Sequence, residues 1–250
     1  MDNSLLISLS QQIAAYRSMD VIANNIANVS TPGFKRESAK FEEYVQMVRP
    51  AEGQTGPQPV SFVKDAGTSR DISQGNITNT SAPLDVALNG KGFFTIATPQ
   101  GERYTRDGHF SMNQDGQIVT SEGFALQGEG GAITITPNDG EIHIAQDGTI
   151  SSVVNGTLNQ LGKLRLTDFA DERTLSKQGA NLYAAAAGAA TAPATATVVQ
   201  GALESSNVQP VLEISKMIEV MRAYEATATL SKSQEDMSRD AITKLGSMPN

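Results

Sequence analysis

The chain has 250 residues, with 19 Lys and Arg against 27 Asp and Glu, so its formal net charge is −8 at pH 7. That acidity argues against nucleic acid or an anionic membrane as the main partner, because both attract clustered basic residues and no basic run exceeds Lys35-Arg36. Cysteine is absent and only two histidines occur, which excludes thiolate chemistry, disulfides and cysteine-based metal sites.

An apolar stripe at helical spacing runs along the N-terminal segment. Its positions alternate steps of four and three residues, and all but one are apolar or aromatic: Leu5, Leu9, Gln12, Tyr16, Met19, Ala23 and Ile26. This spacing predicts a helix with one face suited to a partner helix. We expect the helix to end before Pro32-Gly33, because proline disfavours helical geometry in the residue that precedes it.

A second stripe of the same kind follows Pro210, a residue that is tolerated in a first helical turn. Its members are Ile214, Met217, Met221, Tyr224, Ala228, Ser231, Glu235, Ser238, Ile242 and Leu245. Together the two stripes predict long N- and C-terminal helices that pair as a coiled coil. The middle of the second stripe is polar, so the expected seam between the helices is weak.

Two interpretations of this weak seam are open. Helix stability in proteins comes mainly from packing of the apolar face, and these helices would bury little apolar surface against each other. In the first interpretation they are marginal in a free monomer and become ordered when neighbouring chains cover them. In the second they form an intramolecular two-helix hairpin that packs on a globular body.

Between the two ends the apolar periodicity changes from helical to alternating. Short apolar runs at residues 84–88, 93–96, 117–120, 132–136 and 141–144 are typical of strands. Four Asp-Gly pairs punctuate this region, and such pairs favour hairpin turns because both residues tolerate positive φ. The predicted fold class is therefore α+β, with long terminal helices and a central antiparallel β-rich domain.

Changes in composition divide the chain into five predicted segments: an N-terminal helix (1–34), an extended connector (35–61), a β-rich middle domain (62–183), a linker (184–206) and a C-terminal helix (207–250). Pro and Gly are frequent between Arg49 and Gln58, which favours an irregular connector. Alanines mixed with Gly188, Pro193 and several threonines favour a loop or flexible arm in the linker.

No residue pattern predicts a catalytic, cofactor-binding or metal site. His109 lies beside an Arg and an Asp, but a histidine in a hairpin turn explains this pattern better than acid–base chemistry does. His143 alternates with two isoleucines and is expected to face solvent. Glycine-rich runs at residues 90–92 and 128–131 lack the Lys-Ser/Thr ending and the following helix of a phosphate-binding loop. We therefore predict a chain without enzymatic activity and without a cofactor.

The residues that end the N-terminal helix form a dense motif. The run at residues 19–35, MDVIANNIANVSTPGFK, resembles the N-terminal signature of the bacterial flagellar axial proteins, the rod and hook family. Residues 201–208, GALESSNV, with residues 217–219 and 222–226 resemble the family's C-terminal signature. Residues 83–94 and 104–110 resemble a segment shared by longer rod proteins and the hook protein. The signature positions carried over are Asn24, Asn25, Asn28, Pro32, Gly33, Phe34, Ser206, Asn207 and Val208.

The resemblance implies a structural subunit of the flagellar basal-body rod that polymerises through its terminal helices and transmits torque for motility. It implies an inner tube wall built from helices of neighbouring subunits, with the β-rich middle facing outward. It also implies an assembly interface at Leu5, Leu9, Tyr16, Met19, Ala23, Ile26, Ile214, Met217, Met221, Tyr224, Ala228, Ile242 and Leu245.

Partners and location follow from the same resemblance. The expected partners are the proximal and distal rod proteins, further copies of this chain and the flagellar export machinery, with no nucleic acid and no membrane insertion. The expected location is the rod of the basal body in the periplasm, reached without a cleaved signal peptide. Length, the opening residues 1–7 and Pro210 favour the proximal over the distal rod member.

Two alternatives come from other functional classes. A peptidoglycan hydrolase is opposed by the lack of a histidine–carboxylate pattern. A free-standing β-rich binding module requires the terminal helices to fold within the monomer.

Overall fold

The computed structural model describes residues 3–48, 58–136, 139–154, 157–186, 189 and 191–246. The chain divides into two compact units. The helical unit comprises Met1–Ala27, Glu37–Asp71 and Gln209–Asn250, and the β unit comprises Asn28–Arg36 and Ile72–Val208. Each unit is therefore built from segments that are not contiguous in the sequence.

The helical unit consists of two helices and one long hairpin. Helix α1 (Asn3–Ala27) is followed by strands β1 (Glu37–Val48) and β2 (Gln58–Arg70), and helix α2 (Pro210–Gly246) completes the unit. The strands pair antiparallel, with an irregularity between Ala39 and Phe41. This hairpin begins in the segment 35–61, which was predicted to be an extended connector, and continues to Arg70 in the predicted middle domain. Residues 49–57 of that segment fall outside the described part of the chain.

The predicted coiled coil is wrong: the structure has two terminal helices and a large antiparallel β body. Helix α1 does contact α2, but a coiled coil requires apolar residues of both helices to interlock along one continuous seam. Leu9, Tyr16, Ile214 and Met221, all assigned to that seam, are exposed instead. The physical reason is that α1 also packs against β1 and β2, so its contacts are shared between α2 and a hairpin that the stripe pattern did not reveal.

The β unit is built from short antiparallel strands, as expected for the middle of the chain. In chain order they are β3 (Ile77–Asn79), β4 (Val86–Asn89), β5 (Phe93–Thr98), β6 (Gly101–Thr105), β7 (Ser111–Met112), β8 (Ile118–Val119), β9 (Ala125–Gly128), β10 (Gly131–Ala132), β11 (Glu141–Ile144), β12 (Thr149–Val154), β13 (Thr157–Lys163), β14 (Leu166–Phe169), β15 (Ser176–Lys177), β16 (Tyr183–Ala184), β17 (Thr191–Pro193), β18 (Thr197–Gln200) and β19 (Ala202–Glu204). A single 3-10 turn, Glu172–Thr174, lies between β14 and β15 in the described chain.

The largest sheet is organised around β5. This strand pairs with β6, β9 and β14, and the sheet continues in the order β15-β16-β6-β5-β9-β8-β7. Strands β11, β12 and β13 form a separate meander. Two of the predicted Asp-Gly turns have glycine at positive φ, Gly116 at +78° and Gly148 at +84°. At these positions the local turn chemistry was sufficient to predict where the chain reverses.

Two apolar clusters fill the β unit. The main cluster packs alternate residues of the sheet with the meander, and its members include Val86, Leu88, Phe94, Ile96, Phe110, Ile118, Leu126, Ile150, Leu164 and Val198. The smaller cluster is mainly aromatic, with Phe93, Tyr104, Phe169 and Tyr183 in edge-to-face contacts.

Strands from the predicted linker close the β unit. Of the segment 184–206, strand β17 pairs with β14, β18 pairs with β4 and β19 pairs with β3. Residues 187, 188 and 190 of that segment lie outside the described chain. Within the described ranges neither helix contains a stretch long and apolar enough to cross a membrane.

Candidate assembly interface

One face of α1 is apolar and uncovered. Leu6, Leu9, Ile13 and Tyr16 follow steps of three, four and three residues, and between 43% and 61% of each is exposed. A step of three or four residues places side chains on the same side of a helix. These four residues therefore form a continuous surface, which we name the α1 stripe.

The predicted interface residues of α1 divide between this surface and the packed side of the helix. Leu9 and Tyr16 lie on the α1 stripe, and Ala23 is exposed further along the helix. Met19 and Ile26 are half-buried. The side chain of Leu5 lies outside the described residues. Sequence periodicity alone missed Leu6 and Ile13, which the structure places beside Leu9.

Helix α2 carries a matching surface near its beginning. Val211, Ile214, Ile218 and Met221 repeat the steps of three, four and three residues, and between 44% and 75% of each is exposed. We name this surface the α2 stripe. Among the other predicted interface residues of α2, Ile242 is exposed and three are half-buried: Met217, Tyr224 and Ala228. The side chain of Leu245 lies outside the described residues.

The side chain of Asn25 connects the end of α1 with the beginning of α2. Its amide nitrogen donates to the backbone oxygen of Glu37 at 2.7 Å and to Oε2 of Glu213 at 3.0 Å, and its oxygen accepts from the backbone nitrogen of Glu37 at 2.9 Å. The side chain is fully buried, so all these bonds are made away from water. The end of α1 therefore lies beside the beginning of α2, and the two helices run antiparallel.

This arrangement places the two stripes on different helices and on successive stretches of the helix pair. The α2 stripe begins beside the end of α1, whereas the α1 stripe lies near the beginning of α1, more than a turn before Asn25. Each stripe spans eleven residues, and its first and last residues are about 15 Å apart at the helical rise of about 1.5 Å per residue. One subunit thus presents two apolar surfaces of equal length and equal spacing at separate places.

The N-terminal signature residues of the β unit form a tight turn. Thr31 donates from its hydroxyl to the side-chain oxygen of Asn28 at 3.2 Å, and Asn181 donates to the carbonyl of Pro32 at 3.2 Å. Gly33 has a φ of +67°, and a Cβ there would lie 2.4 Å from the backbone carbon of Arg106. Only glycine fits this close approach without displacing backbone.

Phe34 completes the same signature in the interior of the β unit. The ring is only 1% exposed, and Nζ of Lys177 lies 4.5 Å from its centroid, which is within cation–π range. The family signature residue Asn24, by contrast, lies exposed in the last turns of α1.

The C-terminal signature lies directly against the N-terminal one within the β unit. Asn207 accepts at Oδ1 from the backbone nitrogen of Arg36 at 2.7 Å and donates to the carbonyl of Ser73 at 3.1 Å. The hydroxyl of Ser206 accepts from the backbone nitrogen of Val208, and Val208 is buried. Two motifs that lie about 170 residues apart in the sequence are thus one local structure.

A buried charge cluster joins the same two motifs. Oε1 of Glu204 accepts from Nζ of Lys35 at 2.5 Å and from the backbone nitrogen of Gly75 at 2.9 Å, while Oε2 lies 3.4 Å from Nη1 of Arg106. The three charged side chains are at most 4% exposed. Burial lowers the pKa of the Lys35 ammonium, and the Glu204 carboxylate opposes that change.

Sequence reasoning did not assign a role to this cluster. Lys35, Arg106 and Glu204 each lie in a different one of the three motifs that carried the family resemblance. This distribution is the one signal in the sequence that could have indicated the cluster, because oppositely charged residues in three distant motifs can pair when the motifs come together. Nothing in the local sequence indicated that these charges are buried.

Glu172 is a further buried carboxyl in the β unit and provides a test by pH. Burial raises its pKa, and the Arg106 guanidinium opposes the rise only in part. A carboxyl whose pKa is higher in the folded than in the unfolded chain stabilises the fold at low pH and loses that contribution as pH rises through the folded pKa. We therefore expect Glu172→Gln to raise the urea midpoint at pH 7, with no difference from wild type near pH 4.

Glu129→Gln, at an exposed carboxyl, is the control and should leave the urea midpoint unchanged at both pH values. A lower midpoint of Glu172→Gln at pH 7 would show that its negative charge is required beside Arg106.

The β unit contains an exposed histidine–carboxylate pair and a cleft. His109 Nδ1 lies 2.8 Å from Oδ1 of Asp85, and its side chain is 60% exposed. A cleft of about 380 Å³ is lined in part by Arg165 and Glu129, but Arg165 is engaged with Glu102 and Glu129 with a lysine. Among the described residues no group of three or more His, Cys, Asp or Glu could hold a metal ion.

Three family models match the chain, and all describe flagellar proteins. Residues 5–35 match the model described as "Flagella basal body rod protein". Residues 87–152 match "Flagellar hook protein FlgE/F/G D1 domain". Residues 199–244 match "Flagellar basal body rod FlgEFG protein C-terminal". The first and third matches contain the two stripes, and the second contains the core of the β unit.

Relatives of near-full length agree with these matches. The chain is 42% identical to the flagellar basal-body rod protein FlgF of Caulobacter vibrioides, over 98% of this chain and 99% of the relative. It is 36% identical to FlgF of Mesorhizobium japonicum, over 99% of both. It is 39% identical to the rod protein FlgG of Buchnera aphidicola, over 94% and 96%. The resemblance predicted from the signatures is confirmed, and the chain belongs to the flagellar basal-body rod protein family.

Proposed function

We propose that this chain is a structural subunit of the flagellar basal-body rod, which polymerises through its helical unit and transmits torque for motility. The observation that carries the proposal is the pair of exposed apolar stripes, in a chain whose near-full-length relatives are named as rod proteins. A subunit of this kind needs stiff packing and no chemistry, which agrees with the absence of cysteine and the scarcity of histidine in the sequence.

The placement of the stripes favours a head-to-tail contact. A surface that meets a different surface on the next copy is not self-complementary, and repetition of such a contact generates an open helical polymer. We propose that the α1 stripe of one subunit packs against the α2 stripe of a neighbouring subunit. The equal steps and equal lengths of the two stripes support this pairing.

The energy of one such contact is modest. The stripe side chains are about half exposed, so covering each contributes on the order of 1 kcal/mol at about 25 cal/mol per Å². The eight side chains of one contact then contribute roughly 8 kcal/mol, and association costs about 4–15 kcal/mol in lost freedom. The two quantities are of similar size, so a single contact is marginal and contacts with several neighbours at once favour stable assembly.

The proposed partners follow from this energetic argument and from the family. They are further copies of this chain and the other rod subunits, proximal and distal, that meet it along the rod. We further propose that the chain reaches the periplasmic rod through the flagellar export machinery, without a cleaved signal peptide. The relatives' description as basal-body rod proteins supports the location. Of the two members, FlgF is the better supported by identity over nearly the full length.

Disulfide cross-linking tests the proposed contact, because the chain has no cysteine of its own. The double variant Ile13→Cys, Ile218→Cys places one thiol on each stripe. After mild oxidation of isolated basal bodies, we expect a ladder of disulfide-linked subunits on a non-reducing gel. The control pairs Ile13→Cys with Ala223→Cys, which is exposed on another face of α2 and should not cross-link.

Equal cross-linking of the control would show that the α2 stripe is not the partner surface. A complete absence of the chain from isolated basal bodies would overturn the proposed function itself.

A further inference from the structure

The β unit is closed by its own last residues. Residues 197–208, here named the closing segment, contain β18 and β19, which pair with β4 and β3 from the beginning of the unit. Backbone amides of the segment also donate to the carbonyls of Asp85, Gln146 and Asn76. The closing segment therefore binds together parts of the chain that are far apart in sequence.

Glu204 is the one charged residue in the closing segment, whose sequence is TVVQGALESSNV. Its carboxylate is fully buried and is the salt-bridge partner of both Lys35 and Arg106. Its backbone oxygen accepts from the nitrogen of Gly33 at 2.7 Å. One residue thus provides the negative charge and also the backbone anchor for the N-terminal signature.

The charge balance of this site depends on the arrival of the closing segment. Without Glu204, a folded β unit would enclose the Lys35 ammonium and the Arg106 guanidinium together. Arginine does not deprotonate in proteins, and an unpaired buried charge is strongly unfavourable. A β unit that lacks the closing segment therefore loses strand pairs, and its two buried cations also lose the carboxylate that contacts both of them.

We propose that the closing segment is a conformational latch, and that the β unit folds only when this segment joins it. A chain that emerges N-terminus first then stays unfolded until residue 208 is free, although most of its apolar core lies earlier in the sequence. This inference deepens the proposed export of the chain, because a polypeptide must remain unfolded to pass through a narrow channel. The folding behaviour itself does not depend on export.

Pulse-labelled hydrogen exchange during refolding of the full chain tests the order of events. The amides of Gly33 and Ser205 report closure, and the amides of β5 and β9 report formation of the central sheet. We expect both groups to become protected in one phase with the same rate constant. Protection of β5 and β9 at least ~10-fold faster than Gly33 and Ser205 would overturn the latch, because the sheet would then form without the closing segment.

A charge substitution in the full chain tests whether the Glu204 carboxylate is required for the β unit to stay folded. Glu204→Gln keeps the size and an acceptor for Gly75 but removes the charge between Lys35 and Arg106. We expect native-state exchange in β5 and β9 to accelerate by at least ~100-fold, since breaking a buried pair is strongly destabilising. Glu102→Gln, which removes one partner of an exposed pair with Arg165, is the control and should change exchange less than ~5-fold.

Glu204→Gln can fail to fold, so a rescue variant is included. The triple variant Lys35→Met, Arg106→Met, Glu204→Gln removes both cations together with the carboxylate, and we expect it to restore protection of β5 and β9. If Glu204→Gln accelerates exchange only in β3 and β19, the closing segment is an addition to a sheet that folds alone. That outcome overturns the latch and leaves the rod function intact, whereas absence of the chain from isolated basal bodies overturns the rod function and leaves the latch intact.

Discussion

Replacing Leu9 with aspartate is expected to abolish rod assembly and swimming while the β unit stays folded. Leu9 lies in the middle of the α1 stripe and is 52% exposed, so a carboxylate there is hydrated in the free monomer. The free energy of unfolding should therefore change by no more than about 0.5 kcal/mol. In the assembled contact the same carboxylate would be buried without a partner, at a cost of several kcal/mol, by order of magnitude.

Such a cost cancels much of the roughly 7 kcal/mol that the remaining seven stripe side chains supply, and it recurs at each subunit of the polymer. The measurements are swimming in soft agar, the amount of the chain in isolated basal bodies, and thermal unfolding of the purified variant. Gln11→Asp is the matched control, because Gln11 is exposed on a different face of α1 and receives the same new side chain. Normal swimming of the Leu9→Asp strain would show that the α1 stripe is not an interface.

The same test applies to the α2 stripe. Met221→Asp should also prevent assembly, and Ala223→Asp, on another face of α2, should not. Loss of assembly in only one of the stripe variants would contradict a contact that pairs the two stripes with each other.

The second large effect is expected from Gly33→Ala, which should unfold the β unit or destabilise it by more than about 3 kcal/mol. Two costs add at this position. A φ of +67° is unfavourable for alanine by roughly 1–2 kcal/mol, and the new Cβ would approach the backbone of Arg106 to 2.4 Å. Backbone cannot rotate away as a flexible side chain can, so the turn itself must move.

Gly123→Ala separates the two costs. Gly123 has a φ of +84°, but no atom lies within 4 Å of the Cβ that alanine would add. This variant should therefore lose only about 1–2 kcal/mol. Urea unfolding monitored by tyrosine fluorescence measures both variants. An equal loss in both would show that backbone strain alone, and not the contact with Arg106, makes glycine necessary at position 33.

Turn residues and apolar runs in the sequence were sufficient to predict the end of helix α1 and the position of strand β5. Helix α1 ends at Ala27, a few residues before Pro32-Gly33, because the turn residues that follow it do not support helical geometry. Strand β5 was predicted from the apolar run at residues 93–96, and its burial on the sheet explains why the run is continuous. In both cases the residues that produce the pattern are also those that make the contacts.

Contacts between distant residues were not predictable in the same way. The stripe pattern of α1 is compatible with several partners, and only the pairing of β1 with β2 shows that a hairpin takes part of its surface. Likewise, Lys35 and Glu204 have the appearance of ordinary surface charges in sequence. Their burial results from the pairing of β3 with β19, which no local propensity encodes.

The residues predicted to form the interface coincide only in part with the exposed stripes, and their role in assembly stays a prediction. Leu9, Tyr16, Ile214 and Met221 are exposed as an interface requires, because heptad spacing identifies one side of a helix irrespective of what covers it. The spacing could not tell which side each helix turns toward its own chain. Met217, for example, is half-buried although it belongs to the same predicted stripe as Met221.

The buried amide of Asn25 fixes the position of α1 along the axis of α2. Sliding α1 along α2 by a single turn, about 5.4 Å, would break hydrogen bonds to Glu37 and Glu213 in a site that water does not reach. For that reason the distance between the two stripes along the helix axes is fixed in the folded chain. In the proposed polymer, this fixed distance between the stripes would set the spacing from one subunit to the next.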